Sequence, residues 1–185
     1  ADVDGELRID YNAQNKASTV VLKKPDGTED VSTFLYNSSG FLTGMRTSAA
    51  NGNVQLVTYE YDTNNRLSKV TIDLTPESPT DSKTHVTTFT YVGTTTQLET
   101  VSQSDGSKIT LAYYSDGRIK SLTDALNRTS LIEYISADQT RLTVSGEVTN
   151  YYFDSAERLL RTEKVVGFDV FSTKYAYNAD GKLTS

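Results

Sequence analysis

His85 is the single histidine of the chain, and Asp81 and Ser82 precede it by four and three residues. These are the three types of a nucleophilic triad, in which a hydroxyl attacks, an imidazole takes its proton and a carboxylate orients the ring. A triad is a matter of geometry, and this set falls in a stretch, Asp73 to His85, that holds two of the three prolines and reads as a protruding loop. The expectation is a solvated loop histidine and no catalytic residue. Asp2-Val3-Asp4-Gly5-Glu6 opens in the manner of a calcium loop but lacks the further oxygens and closing Glu of an EF-hand, so it reads as a frayed acidic terminus. Asp62, Asp116, Asp154 and Asp180 are acidic turn residues with oxygens to offer a cation. Asp in a turn ordinarily accepts hydrogen bonds from its own backbone, and that is the role expected of them. Arg66, Arg118 and Arg158 recur close by, as for a ladder of ion pairs with guanidinium groups packed on aromatic rings. No metal or cofactor site is expected.

Tyrosine is the other type with chemistry to offer, at 12 residues. A ring with a polar tip suits stacking on sugars or a wet protein interface. Tyr61, Tyr113 and Tyr177 fall at regular positions and read as a cross-strand packing ladder. Tyr59, Tyr114 and Tyr175 fall outside that register or at a variable place, and are the candidate ligand contacts. Asn37 and Asn127 begin N-x-S/T triplets, which matter only on a glycosylating secretory route.

The elements that must hold these residues are strands. Hydrophobic residues are 36% of the 185, with no Trp and abundant Thr and Ser, which favours an all-β class. A single domain of this length is expected to bury about 70% of the surface of its unfolded chain. The absence of cysteine removes disulfides, thiolate metal sites and thiol nucleophiles. A net charge of −6 argues against a nucleic-acid partner. No apolar run reaches the roughly 20 residues of a membrane helix, and ADVDGELR lacks the regions of a signal peptide.

An internal repeat organises the chain. With the aromatic residue before each turn as anchor, six copies align without gaps at Tyr11, Tyr36, Tyr61, Tyr113, Phe153 and Tyr177. Next comes Asn12, Asn37, Asp62, Tyr114, Asp154 or Asn178. Four residues after the anchor stands Asn15, Gly40, Asn65, Gly117, Glu157 or Gly181, where Gly and Asn imply a left-handed position. A basic position follows (Lys16, Phe41, Arg66, Arg118, Arg158, Lys182), then an apolar one (Ala17, Leu42, Leu67, Ile119, Leu159, Leu183). Tyr91 to Leu98 and Tyr134 to Leu142 read as looser copies with one and two extra residues. Between these turns Asp26-Gly27, Asn51-Gly52 and Asp105-Gly106 read as two-residue hairpin closures, with Asn127 and Gly146 at comparable places. The chain is thus a train of hairpins with two alternating turn types. Lys108 to Tyr113 shows the period of two, while beyond each basic turn the apolar residues recur three apart, as in Leu67 and Val70. That spacing predicts either a recurring bulge or a sheet covered on both sides. Fourteen to sixteen strands follow, in an antiparallel meander too long to stay flat, so a spiral or open barrel-like wrap is expected.

The Y-D-x-x-x-R-L of Tyr61 to Leu67, the Y-x-x-D-G-R-I of Tyr113 to Ile119 and LTDALNRTSLIEY from Leu122 to Tyr134 resemble the YD repeats of bacterial RHS proteins, with relatives in insecticidal toxin complexes and teneurins. The resemblance covers almost the whole chain. It implies residues 1–185 as one YD/RHS-repeat β domain, a fragment of a longer array whose sheet spirals into a shell around a toxic cargo domain of a secreted bacterial weapon. The Asp-, Pro- and Gly-rich region that plugs such a shell has no counterpart here, and Ser185 ends the chain where a partner strand is expected, so an arc with two exposed edges is implied.

Two functions of different class follow. The first is a non-catalytic wall segment, secreted or exported, whose partners are the cargo domain or neighbouring repeats, with self-association through the sheet edges. The second is a secreted or surface-exposed adhesion module that recognises carbohydrate or protein through Tyr59, Tyr114, Tyr175 and the Asp73 to His85 loop.

Overall fold

The computed structural model of the chain describes residues 5–50, 52, 54–78, 81 and 83–184. The calcium-like residues Asp2, Val3 and Asp4, together with Asn51, Ser82 and Ser185, lie outside the described residues. The strands are β1 (Glu6–Tyr11), β2 (Ala17–Lys23), β3 (Glu29–Tyr36), β4 (Leu42–Ser48), β5 (Val54–Tyr61), β6 (Leu67–Asp73), β7 (Thr84–Tyr91), β8 (Leu98–Gln103), β9 (Lys108–Tyr113), β10 (Ile119–Asp124), β11 (Thr129–Ser136), β12 (Gln139–Val144), β13 (Glu147–Phe153), β14 (Leu159–Val166) and β15 (Asp169–Lys174). Their order in the sheet is their order in the chain. The described residues contain no helix, and the class is all-β, an antiparallel meander. The chain divides into two compact units, the first holding 1–96 and 101–106, the second 97–100 and 107–185.

The hairpin closures differ from the two alternating types expected. Lys24 donates to the Thr28 carbonyl and Gly27 to that of Lys24, so the loop is the three residues Pro25, Asp26 and Gly27, with Gly27 at φ +83°. The same bonds join Asn12 to Lys16 and Asp62 to Arg66, with Asn15 and Asn65 left-handed. Turns on both edges of the sheet thus share one conformation, a type I turn followed by a left-handed residue, while Ser145-Gly146 closes the two-residue hairpin expected at Gly146. In Asp26-Gly27 the glycine is the third loop residue, and Pro25 fits the first, where φ near −65° is required. Asn127 belongs to this class as well: Asp124 donates to the Arg128 carbonyl and Asn127 to that of Asp124. Two-residue loops occur where Ser136 faces Gln139, Val144 faces Glu147 and Val166 faces Asp169.

Of the two explanations offered for apolar residues three apart, the bulge is the one present. Tyr61 pairs with Leu67 and Glu60 with Lys69, leaving Ser68 unmatched. Thr43 and Leu160 are left over in the same way beside Tyr36 and Phe153. The extra residue returns Leu67 and Val70 to one face. In the copy at Tyr134 the residue opposite the anchor is Thr140, not Leu142, so that copy has no added residues before its apolar position.

The burial expected of a single domain of this length is not reached. The chain exposes 12,478 Å², against about 8,800 Å² for a compact monomer of its mass. Val21, at 4% exposure, is the one buried hydrophobic residue among those described. Within each unit every contact between elements among the described residues joins strands adjacent in the chain, so no second layer of described residues covers a face of either unit. Half-burial along the strands comes from neighbours on the same face.

The expected loop is also shorter than its composition suggests. Asp73 ends β6 and His85 lies within β7, half-buried and opposite Ile72, so His85 is a strand residue and not a loop residue. Between them the Leu74 amide donates to the Lys83 carbonyl, and Thr75 donates its hydroxyl to Asp81 at 2.5 Å.

Candidate functional site

The most elaborate chemistry lies in the turns. At Tyr61 to Leu67, one oxygen of Asp62 accepts the amides of Asn64 at 2.8 Å and Arg66 at 2.9 Å. The other takes the Arg66 guanidinium through Nε and Nη2, both at 2.7 Å. The Arg66 amide and then its guanidinium hold the Asp62 carboxyl below its usual pKa. Asp154 repeats this with Ala156 and Arg158, and Asp124 with Leu126 and Arg128 on the opposite edge. Asn12 and Asn178 keep the amide contacts alone. In the Tyr113 turn, Tyr114 stands where the others have Asp or Asn, and Asp116 supplies both contacts to Arg118.

A second set of contacts joins each turn to the next. The Tyr61 hydroxyl donates to the Leu42 carbonyl at 2.8 Å, Tyr36 to Ala17 at 3.0 Å, and Tyr91 to Leu67 at 2.8 Å. Tyr113 reaches Leu98 at 2.7 Å and Tyr177 reaches Leu159 at 2.8 Å. The acceptor in each case is the apolar position of the preceding turn. In four turns the basic position covers the next anchor ring. Lys16 lies 5.6 Å over Tyr36, Arg66 4.4 Å over Tyr91, Arg118 4.1 Å over Tyr134 and Arg158 5.1 Å over Tyr177. Phe41, the apolar exception at this position, packs on Tyr61 with ring centroids 5.0 Å apart. Arg66 also donates to the carbonyls of Gly93 and Thr95. Tyr36, Tyr61, Tyr91 and Tyr177 are thereby held by both a hydroxyl bond and a ring contact directed to one neighbour.

Gly40, Gly117 and Gly181 sit at the left-handed position with φ of +81°, +89° and +74°. Glu157 adopts the same conformation at +60°, where its Cβ makes the backbone strained. Glu157→Asn is expected to raise stability by about 0.5–1 kcal/mol, because Asn tolerates this region far better. A urea titration in which the midpoint falls would contradict it.

Tyr59 belongs to the first unit, and Tyr114 and Tyr175 to the second. Tyr59 is in β5, Tyr114 in the turn after β9 and Tyr175 beyond β15, and no described ring contact links them. Tyr114 donates its hydroxyl to the Ile132 carbonyl at 2.8 Å and packs edge-on against Tyr134. The Tyr175 amide donates to Leu160. No group of three or more metal-ligating side chains occurs among the described residues. The Asp124–Arg128 pair escaped the sequence reading, although its D-x-x-N-R spacing is that of Asp62 to Arg66.

The repeated turns, each opened by an aromatic anchor, and the antiparallel meander define the class, an all-β repeat fold. The chain superposes on the structure described as TcdB2-TccC3-Cdc42 with a TM-score of 0.74 and 12% identity, over 99% of this chain and 11% of that one. A mutant Photorhabdus luminescens Tc holotoxin pore covers 96% of this chain and 15% of its own at a TM-score of 0.27 and 11% identity, too low for a comparison of folds. The fold relationship to RHS/YD shell proteins that the sequence motifs imply is present, and at this identity the likeness is one of fold. No family profile matches the sequence, and no curated protein does.

Proposed function

We propose that residues 1–185 are a stretch of wall in a longer RHS/YD-repeat array, a non-catalytic scaffold that encloses or holds a cargo domain. The observation that carries this reading is the direction of the turn contacts. Five anchor hydroxyls, and the basic side chains Lys16, Arg66, Arg118 and Arg158, are used to bind the adjacent turn, which propagates a sheet. The fold likeness to a TcdB2-TccC3 chain many times longer supports a partial wall whose partners are neighbouring repeats and the components of a secreted toxin complex. Exposed Leu7, Ile9 and Tyr11 on β1 suit continuation by such a neighbour.

The test is protease protection of the domain encoded downstream in the parent frame. Removal of the β9–β10 hairpin, residues 108–124, is expected to expose that domain to cleavage, whereas the intact parent protects it. Equal cleavage of both would overturn the wall reading. The adhesive alternative requires Tyr59, Tyr114 and Tyr175 to act as one surface. The engagement of Tyr114 with Ile132 makes it the weaker reading.

A further inference from the structure

The dipeptide Asp-Gly occurs four times, at Asp26-Gly27, Asp105-Gly106, Asp116-Gly117 and Asp180-Gly181. In each the glycine is left-handed, at φ of +83°, +91°, +89° and +74°, and its amide donates to the carbonyl three residues back. All four aspartates are exposed. They differ in what holds the carboxylate. Asp26 accepts the Thr28 amide at 2.9 Å and the Thr28 hydroxyl at 2.6 Å. Asp116 accepts the Arg118 amide at 3.0 Å and its guanidinium at 2.8 and 2.7 Å. Asp105 is engaged as well. At Asp180 the place of Thr28 and Arg118 is taken by Lys182, whose amide goes to Asn178 instead, and the Asp180 carboxylate takes no hydrogen bond or ion pair among the described residues.

We propose that Asp180 is a self-modifying site, where the Gly181 amide nitrogen attacks the Asp180 Cγ and the turn converts to isoaspartate. The protonated carboxyl is the reactive form. The new N–Cγ bond forms as a Cγ–O bond breaks, and the hydroxyl leaves as water with the amide proton. Water then opens the five-membered imide at either carbonyl, and opening at the former backbone carbonyl carries the chain through Cγ. Glycine suits the attack because no Cβ shields its amide. The amide must first leave the Asn178 carbonyl while the carboxyl swings onto the backbone, so the rate follows local opening of the turn. At Asp26 and Asp116 the bonds listed above resist that swing. They also hold both carboxyls below the usual range, through the Thr28 hydroxyl first at Asp26 and the Arg118 guanidinium first at Asp116, so the acid form is rarer there. Asp180 has no such bonds, and its turn is closed by the single bridge between Tyr177 and Leu183, where the ladders beside Asp26 and Asp116 continue along the strands. Conversion adds one carbon to the backbone and shifts Lys182 and Leu183, the basic and apolar positions of this turn. The consequence for a wall rests on the reading above, and the chemistry does not.

The test ages the whole folded chain at neutral pH and body temperature, labels isoaspartate with an isoaspartyl methyltransferase and radioactive S-adenosylmethionine, and assigns each site by peptide mapping. Asn51-Gly52, which reaches the same product by loss of ammonia, is told apart by its peptide. Label at Asp180 is expected to accumulate about tenfold faster than at Asp26, Asp105 or Asp116, with the imide, one water lighter, in the same peptide. In the urea-unfolded chain the four sites should age alike. Thr28→Val, which removes one bond to the Asp26 carboxylate, should raise the label at Asp26 several-fold and leave that at Asp180 unchanged. Equal label at the four sites of the folded chain, more label at another of them than at Asp180, an unfolded chain with the same ranking, or a Thr28→Val chain with no gain at Asp26 would each overturn the assignment.

Discussion

Tyr61→Ala is expected to lower the stability of the first unit by about 2–3 kcal/mol, and Tyr61→Phe by about 1 kcal/mol. The ring is half-buried in a sheet with no second layer, so its neighbours on the same face supply most of its contacts. Phe41 packs on it at 5.0 Å, and its hydroxyl takes the Leu42 carbonyl beside the bulge at Thr43. The phenylalanine variant keeps the ring contact and loses one hydrogen bond. The alanine variant loses both and opens the gap between two turns. A double-mutant cycle with Phe41→Ala should give a coupling of about 0.5–1.5 kcal/mol, while a cycle between Tyr61 and Tyr11, whose strands β5 and β1 share no contact, should give almost none. Denaturant titrations with local amide exchange provide the readout. A Tyr61–Phe41 coupling no larger than that of the distant pair would mean that the turns do not support one another in sequence, and the wall reading would lose its physical basis.

The spacing of the repeat carried much of the fold. Aromatic, Asp or Asn, two free residues, Gly or Asn, a basic residue and Leu specify a turn because each type answers a local need, and local needs are visible in a linear sequence. The three-residue interval from Leu67 to Val70 announced the bulge that leaves Ser68 unmatched. Asp26-Gly27 misled because the dipeptide fits two turn classes, and the preceding Pro25 is what decides between them. His85 was assigned to a loop because Pro76, Pro79 and Ser82 extend the polar stretch to its threshold, although β7 already begins at Thr84. The missing second layer was not legible at all, since alternation along a strand shows which face is more apolar but not whether anything covers it. Contacts such as Arg66 on Tyr91 were only partly legible. The residue types suggested cation-on-ring packing, but the partner is 25 residues away and is chosen by the register of a whole hairpin.

The turn carboxylates should make this protein acid-sensitive in a way that particular substitutions remove. Asp62 and Asp154 are held below their usual pKa first by the amides of Arg66 and Arg158, while Asp116 and Asp124 are held down first by the guanidinium groups of Arg118 and Arg128. An unfolded Asp takes up its proton near pH 3.9, and these folded residues take theirs up only at lower pH. The unfolded state therefore binds more protons in that interval, and stability falls as pH falls. The contribution is fully present above about pH 4 and is lost as the pH passes down through the depressed native values. Asp62→Asn keeps an oxygen for the amides of Asn64 and Arg66 but cannot titrate, so its stability at neutral pH should be lower and its loss below pH 4 shallower by up to about one proton. Asp62→Ala should be less stable than either, because both amides lose their acceptor and the Arg66 side chain, only 14% exposed, loses its carboxylate partner. Parallel acid slopes for Asp62→Asn and the parent chain would show that the carboxylate charge does not stabilise the turn. The Arg66 contact with Tyr91 would then have to be held by the Gly93 and Thr95 carbonyls instead.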